Sequence, residues 1–131
     1  MTPTLTLVIY MAVLTLLTLL AASLIRSKGW TPKGMAIAMG NRDNLPDADA
    51  FAARADRTAR NTLEGFVLFT AIALVAHAAG AISPMVATGA QVFFWSRVLY
   101  VPVYYAGLVP VRTIVWTASI VGLGMMIAGL V

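Results

Sequence analysis

Arg54-Ala55-Asp56-Arg57-Thr58-Ala59-Arg60-Asn61-Thr62-Leu63-Glu64 opens the second apolar segment of the chain, which then runs almost without polar residues from Gly65 to Ala79. At about 100° per residue, a helix places Arg54, Arg57, Arg60, Asn61 and Glu64 within roughly one third of its circumference, with Asp56 off that stripe. Charges at membrane depth cost from about 3 to more than ~10 kcal/mol each unless they face protein or a water-filled cavity. A cationic and amide stripe ending in a carboxylate therefore has to meet a partner surface. The rest of the chain should supply it.

Of the 131 residues, 60% are hydrophobic and 11% charged, against about 25% charged in soluble domains. One membrane domain over residues 1–131 follows. With no cysteine, disulfides, thiolate metal sites and a cysteine nucleophile are excluded. A thiol, if the chemistry uses one, has to come with a substrate. The net charge of +4 reads as basic residues flanking apolar segments on the cytoplasmic side, not as nucleic-acid binding.

Outward from the stripe, the chain divides into four apolar helices. Thr2-Pro3 is a helix start, and apolar sequence follows from Leu5 to Ile25 before Arg26-Ser27-Lys28-Gly29. The charge comes after the apolar core rather than before it, which favours a retained transmembrane helix over a signal peptide. About 22 residues at 1.5 Å each reach roughly 33 Å, enough to span the hydrocarbon layer. Gly29 to Ala48 is a long polar connection, with Gly40-Asn41-Arg42-Asp43-Asn44-Leu45-Pro46 as a turn-rich loop. Helix two is capped by Asp47 or Asp49 and ends at Gly80. Gly80-Ala81-Ile82-Ser83-Pro84 is a short, uncharged turn, so helices two and three are antiparallel neighbours. Helix three extends from Pro84 to Gly107 with Pro102 inside it. Helix four extends from Val111 to Leu130, after a Gly107-Leu108-Val109-Pro110 turn. The charged residues gather on one membrane side, which places both termini away from the cytoplasm.

Helix three carries a second polar stripe. Arg97, Tyr100 and Tyr104 share one face, Tyr105 lies toward its flank, and Arg112 follows at the same depth on helix four. Arg57 to Glu64 and Arg97 to Tyr104 each cover about 10 Å along their axes, so the two stripes can line one cleft. Arginine forks suit carboxylates, Asn offers donor and acceptor, and Glu accepts from an amine or amide. The set fits a small zwitterionic ligand rich in carboxylates. Structural readings stand beside this one: Arg60–Glu64 or Arg97–Glu64 could be ion pairs across the bundle, and Tyr100 and Tyr104 could be interfacial belt residues. Trp95 and Trp116 read as helix anchors, and His77 as a packing or interface residue near the far membrane face. No metal site is indicated.

These residues resemble the MAPEG family, the membrane-associated proteins in eicosanoid and glutathione metabolism, in its short bacterial branch. The resemblance rests on four helices in about 130 residues, the Gly40-Asn41-Arg42-Asp43 loop, Arg57-x-x-Arg60-Asn61-x-x-Glu64, and Arg97 with Tyr104 followed by Arg112. It implies an all-α integral membrane four-helix bundle assembling as a homotrimer in the inner membrane, with glutathione as cosubstrate between neighbouring subunits. It also implies that Arg57, Asn61 and Glu64, with Arg60 beside them, contact glutathione together with Arg97 and Tyr104. Tyr100 lines the same face, Arg26 is a further arginine contact, and Arg112 stabilises the thiolate. The family pattern is not followed throughout: Tyr100 replaces a histidine, Gly65 an aromatic residue and Trp116 a tyrosine found in some members. The expected activity is a glutathione transferase or peroxidase acting on an apolar electrophile or lipid hydroperoxide that arrives from the bilayer. A non-catalytic membrane subunit of the same fold is the alternative. A proton-coupled exporter is disfavoured, because Glu64 sits among arginines near the membrane surface rather than alone at mid-depth.

Overall fold

The computed structural model describes residues 1–43 and 45–131, and every regular element in that range is helical. Five helices follow in order: α1 Pro3–Ser27, α2 Pro32–Met39, α3 Ala50–Ala78, α4 Pro84–Tyr105 and α5 Val109–Leu130. Of these, α1, α3 and α5 are each long and apolar enough to cross a membrane.

Each start carries its own chemical signal. Thr2 Oγ1 accepts from the Leu5 N–H at 3.2 Å ahead of Pro3, and Asp49 Oδ1 accepts from the Ala52 N–H at 2.7 Å. Asp49, not Asp47, is thus the cap of α3. On α1, the buried residues Leu7, Met11, Thr15, Thr18 and Ala22 recur every three or four positions, while Leu16, Leu17 and Leu20 point outward. The buried threonines cost little, because Thr15 and Thr18 donate to the Met11 and Thr15 carbonyls at 2.7 and 2.8 Å. Ala22 meets Ala55 and Ala59, so small side chains let α1 and α3 approach closely. Phe69 of α3 stacks on Phe93 of α4, with centroids 4.6 Å apart. Met11, Leu123 and Met126 complete this core across all four long helices.

Two expectations need correction. The 29–48 connection is not irregular throughout: Thr31 Oγ1 accepts from the Gly34 N–H at 2.9 Å and opens α2. The cap and the following proline are sequence signals of a helix start, but two turns containing a glycine have little intrinsic stability. Packing decides the matter, since a Cβ on Gly34 would lie 1.9 Å from the Lys28 carbonyl oxygen. In addition, α5 begins at Val109 rather than Val111, because Pro110 is tolerated in a first turn, where its missing N–H would be unpaired anyway. Of the turn-rich loop, Asn44 lies outside the described residues. Arg42 there adopts φ 62° and donates to Ser23 Oγ at 2.6 Å, tying the loop to α1.

The α4–α5 contact is set by two glycines. A Cβ on Gly122 would stand 2.6 Å from the Phe93 nitrogen and 2.7 Å from the Gly89 carbonyl oxygen. Both neighbours are backbone and cannot rotate away. Gly122→Val is therefore expected to destabilise the protein by about 1–3 kcal/mol or more, read as a lowered thermal midpoint in detergent. Gly124→Val, where a Cβ would meet nothing within 4 Å, serves as the control.

Candidate functional site

The five-residue connection Ala79–Ser83 turns α4 back along α3, and residue pairing between the two helices runs in opposite directions. Phe69 meets Phe93, Asn61 meets Arg97, Arg57 meets Tyr104 and Arg54 meets Tyr105. Each step back along α3 is answered by a step forward along α4. The two stripes read from sequence therefore face one another.

Arg97 is the centre of this arrangement. Its side chain is among the largest fully buried ones, with 2% of its surface exposed. It donates from Nη2 to Asn61 Oδ1 at 2.7 Å and weakly to Thr62 Oγ1 at 3.5 Å. Its Nε has no partner. The guanidinium lies 4.3 Å from the Tyr100 ring centroid. On the other side, Arg112 lies 4.6 Å from the Tyr104 ring, and the two tyrosine rings are 5.4 Å apart. Arg57 Nε donates to the Tyr104 hydroxyl at 2.9 Å. Three guanidiniums thus hold a pair of tyrosines by ring faces and one hydroxyl, contacts worth about 0.5–2 kcal/mol each.

Among the described residues no carboxylate forms an ion pair with this cluster. Among the described residues the one ion pair joins Arg26 to Asp56 at 4.0 Å. Neither the Arg60–Glu64 nor the Arg97–Glu64 pair forms. Arg60 and Glu64 are exposed on the surface of the single chain. Glu64 nonetheless shares a cavity of about 140 Å³ with Asn61, Gly65 and Arg97, walled by Phe93 and Trp116. Gly65 makes room there: a Cβ would meet the Phe93 ring at 3.4 Å and the Arg97 guanidinium at 3.7 Å. A second opening of about 270 Å³ is lined by Asn61, Tyr100, Tyr104, Arg112, Thr113 and Trp116. Asn61 and Trp116 border both, so a polar opening adjoins a narrower, more apolar one.

Arg57, Asn61, Arg97, Tyr100, Tyr104 and Arg112 are brought together. Glu64 is at the rim, and Arg60 is on the same helix, with no side-chain partner among the described residues. Arg26 is elsewhere: it donates to the Pro46 carbonyl and approaches Asp56 at the end of α1. Sequence reading missed Thr62 and the position of Trp116, four residues after Arg112 and so on the same helical face. Arg54 takes a supporting place, donating from Nε at 3.1 Å to the Tyr105 carbonyl in the last turn of α4.

Among the described residues the protein is all-helical, with three membrane-length apolar helices and an arginine–tyrosine cleft between two of its helices, and it is a membrane protein. The chain belongs to the MAPEG family, whose family model matches residues 3–131. No curated protein and no solved structure matches it.

Proposed function

We propose that the protein is a glutathione-dependent membrane enzyme of the transferase or peroxidase type. The observation that carries this reading is Arg97: a buried guanidinium whose Nε has no partner and which no carboxylate among the described residues contacts as an ion pair, Glu64 lying only at the rim of the same cavity. An uncompensated buried charge is a stability burden, and an anionic ligand relieves it. Family membership points to glutathione as that ligand. Its two carboxylates, ammonium and amides match the free donors of Arg97, Arg57 and Arg60, the amide of Asn61 and the carboxylate of Glu64.

Arg112, at the mouth of the polar opening, favours the thiolate over the thiol. Attack by that thiolate on an apolar electrophile forms a carbon–sulfur bond and expels the leaving group. With a lipid hydroperoxide, attack breaks the O–O bond, releases the alcohol and leaves a sulfenic acid, which a second glutathione converts to disulfide and water. Holding the tripeptide in place supplies much of the rate.

The exposed Arg60 and Glu64 on a membrane-length helix support assembly as a homotrimer of four-helix subunits, with α4 as the fourth span. A neighbour's surface would shield these charges from lipid. The clustering of charge at one end supports an inner-membrane location with both termini outside the cytoplasm. Incubating the purified protein with glutathione and an aryl halide, or with a lipid hydroperoxide, should give saturable product formation. A preparation that binds glutathione but turns over neither would instead favour the non-catalytic subunit.

A further inference from the structure

A separate cavity of about 300 Å³ lies where the end of α1, α2 and the segment entering α3 meet, lined among others by Arg26, Lys28, Lys33, Asp47 and Asp49. Its walls are fixed. Gly34 presses on the Lys28 carbonyl, Arg26 donates to the Pro46 carbonyl, and Arg42 holds the preceding loop to Ser23. Two of the charges are already engaged: Asp49 caps α3 and Arg26 pairs with Asp56. The remaining three, Lys28, Lys33 and Asp47, line the same space without an ion pair among them, the Arg26–Asp56 pair being the only one among the described residues. Unlike charges that share a cavity without neutralising each other fit a guest carrying both signs.

The surroundings say where that guest comes from. On α2, Gly34, Ile37 and Ala38 face inward, while Pro32, Met35 and Met39 face outward, with Lys33 at the flank. Trp30 is 69% exposed and Met39 81%. A short helix with this outward apolar face, directly after a membrane-length helix, belongs at the headgroup–acyl boundary, where tryptophan is also favoured.

We propose that this cavity binds the headgroup of an aminophospholipid, with phosphate against Lys28 and Lys33, ammonium against Asp47, and acyl chains along Trp30, Met35 and Met39. Basic pockets at helix ends are known to take phospholipid headgroups, and Asp47 adds discrimination, because a primary ammonium donates hydrogen bonds that a quaternary one cannot.

The test uses the intact assembly reconstituted in equal parts phosphatidylethanolamine and phosphatidylcholine, extracted mildly, with retained lipid counted by native mass spectrometry. Phosphatidylethanolamine should be enriched several-fold. Lys28→Ala/Lys33→Ala should cut its retention roughly tenfold or more, and Asp47→Asn should remove the preference while phosphate binding persists. Glutathione binding should be unchanged in all three variants, which separates this site from the α3–α4 cleft. Equal retention of both lipids by the native protein, or undiminished retention by the double lysine variant, overturns the proposal. So does displacement of the lipid by equimolar soluble glycerophosphoethanolamine, which would show that the chains contribute nothing.

Discussion

Asn61→Leu is expected to destabilise the protein by about 2–3 kcal/mol, because it strips the buried Arg97 guanidinium of its one short hydrogen bond. Thr62, at 3.5 Å, is too distant to compensate. Arg97→Met should behave in the opposite sense. It removes the buried charge while keeping much of the side-chain volume against Phe93 and Tyr100, and should leave stability unchanged or raised. In the double variant most of the loss caused by Asn61→Leu should disappear, since no charge is left to satisfy. Thermal unfolding of the four proteins in one detergent gives the cycle. This pattern would mean that Arg97 is retained for a ligand and not for the fold. Glutathione binding should accordingly vanish in Arg97→Met, the more stable of the two single variants. A large destabilisation by Arg97→Met would make the residue a structural tie instead.

Arg112→Ala is expected to lower turnover by about 100-fold or more, the scale of losing one charge-stabilising donor at a reacting atom, while changing glutathione affinity only a few-fold. The asymmetry follows from position. Arg112 lies against the Tyr104 ring at the edge of the wider opening, whereas Asn61 and Arg97 are deeper. Arg112→Lys should recover part of the rate, since charge is kept and the ring contact is weakened. If binding and turnover fell together, the proposed action on the thiolate would have to be abandoned. Glutathione titrations alongside initial rates distinguish these cases.

Much of this arrangement could be read from residue order because membrane constraints are severe. An apolar run interrupted by Arg57, Arg60, Asn61 and Glu64 at helical spacing allows few solutions, and the short turn after Gly80 fixes which helix must answer it. The pairing of Asn61 with Arg97 and Arg57 with Tyr104 then follows from antiparallel geometry. Partner choice was less legible. An Arg97–Glu64 ion pair is one structural reading of the sequence, yet Asn61 and Thr62 take that place, because an amide can be half-buried at lower desolvation cost than a carboxylate. The short helix α2 was hidden for a different reason: its stability comes from Gly34 packing on the end of α1, a tertiary contact that propensity does not report. Arg26 is engaged by Asp56 and the Pro46 carbonyl at the end of α1, apart from the α3–α4 cleft of the same chain. At the α4–α5 contact, only the mutual approach of Gly89 and Gly122 shows which glycines of these helices matter.

The central claim is that the facing stripes of α3 and α4 form a cleft that binds glutathione through Arg97. Isothermal titration of the purified assembly with glutathione up to millimolar concentration tests it most directly. Saturable heat from the native protein, absent from a folded Arg97→Met variant, is the predicted result. No heat from the native protein, or the same binding curve from both, would contradict it.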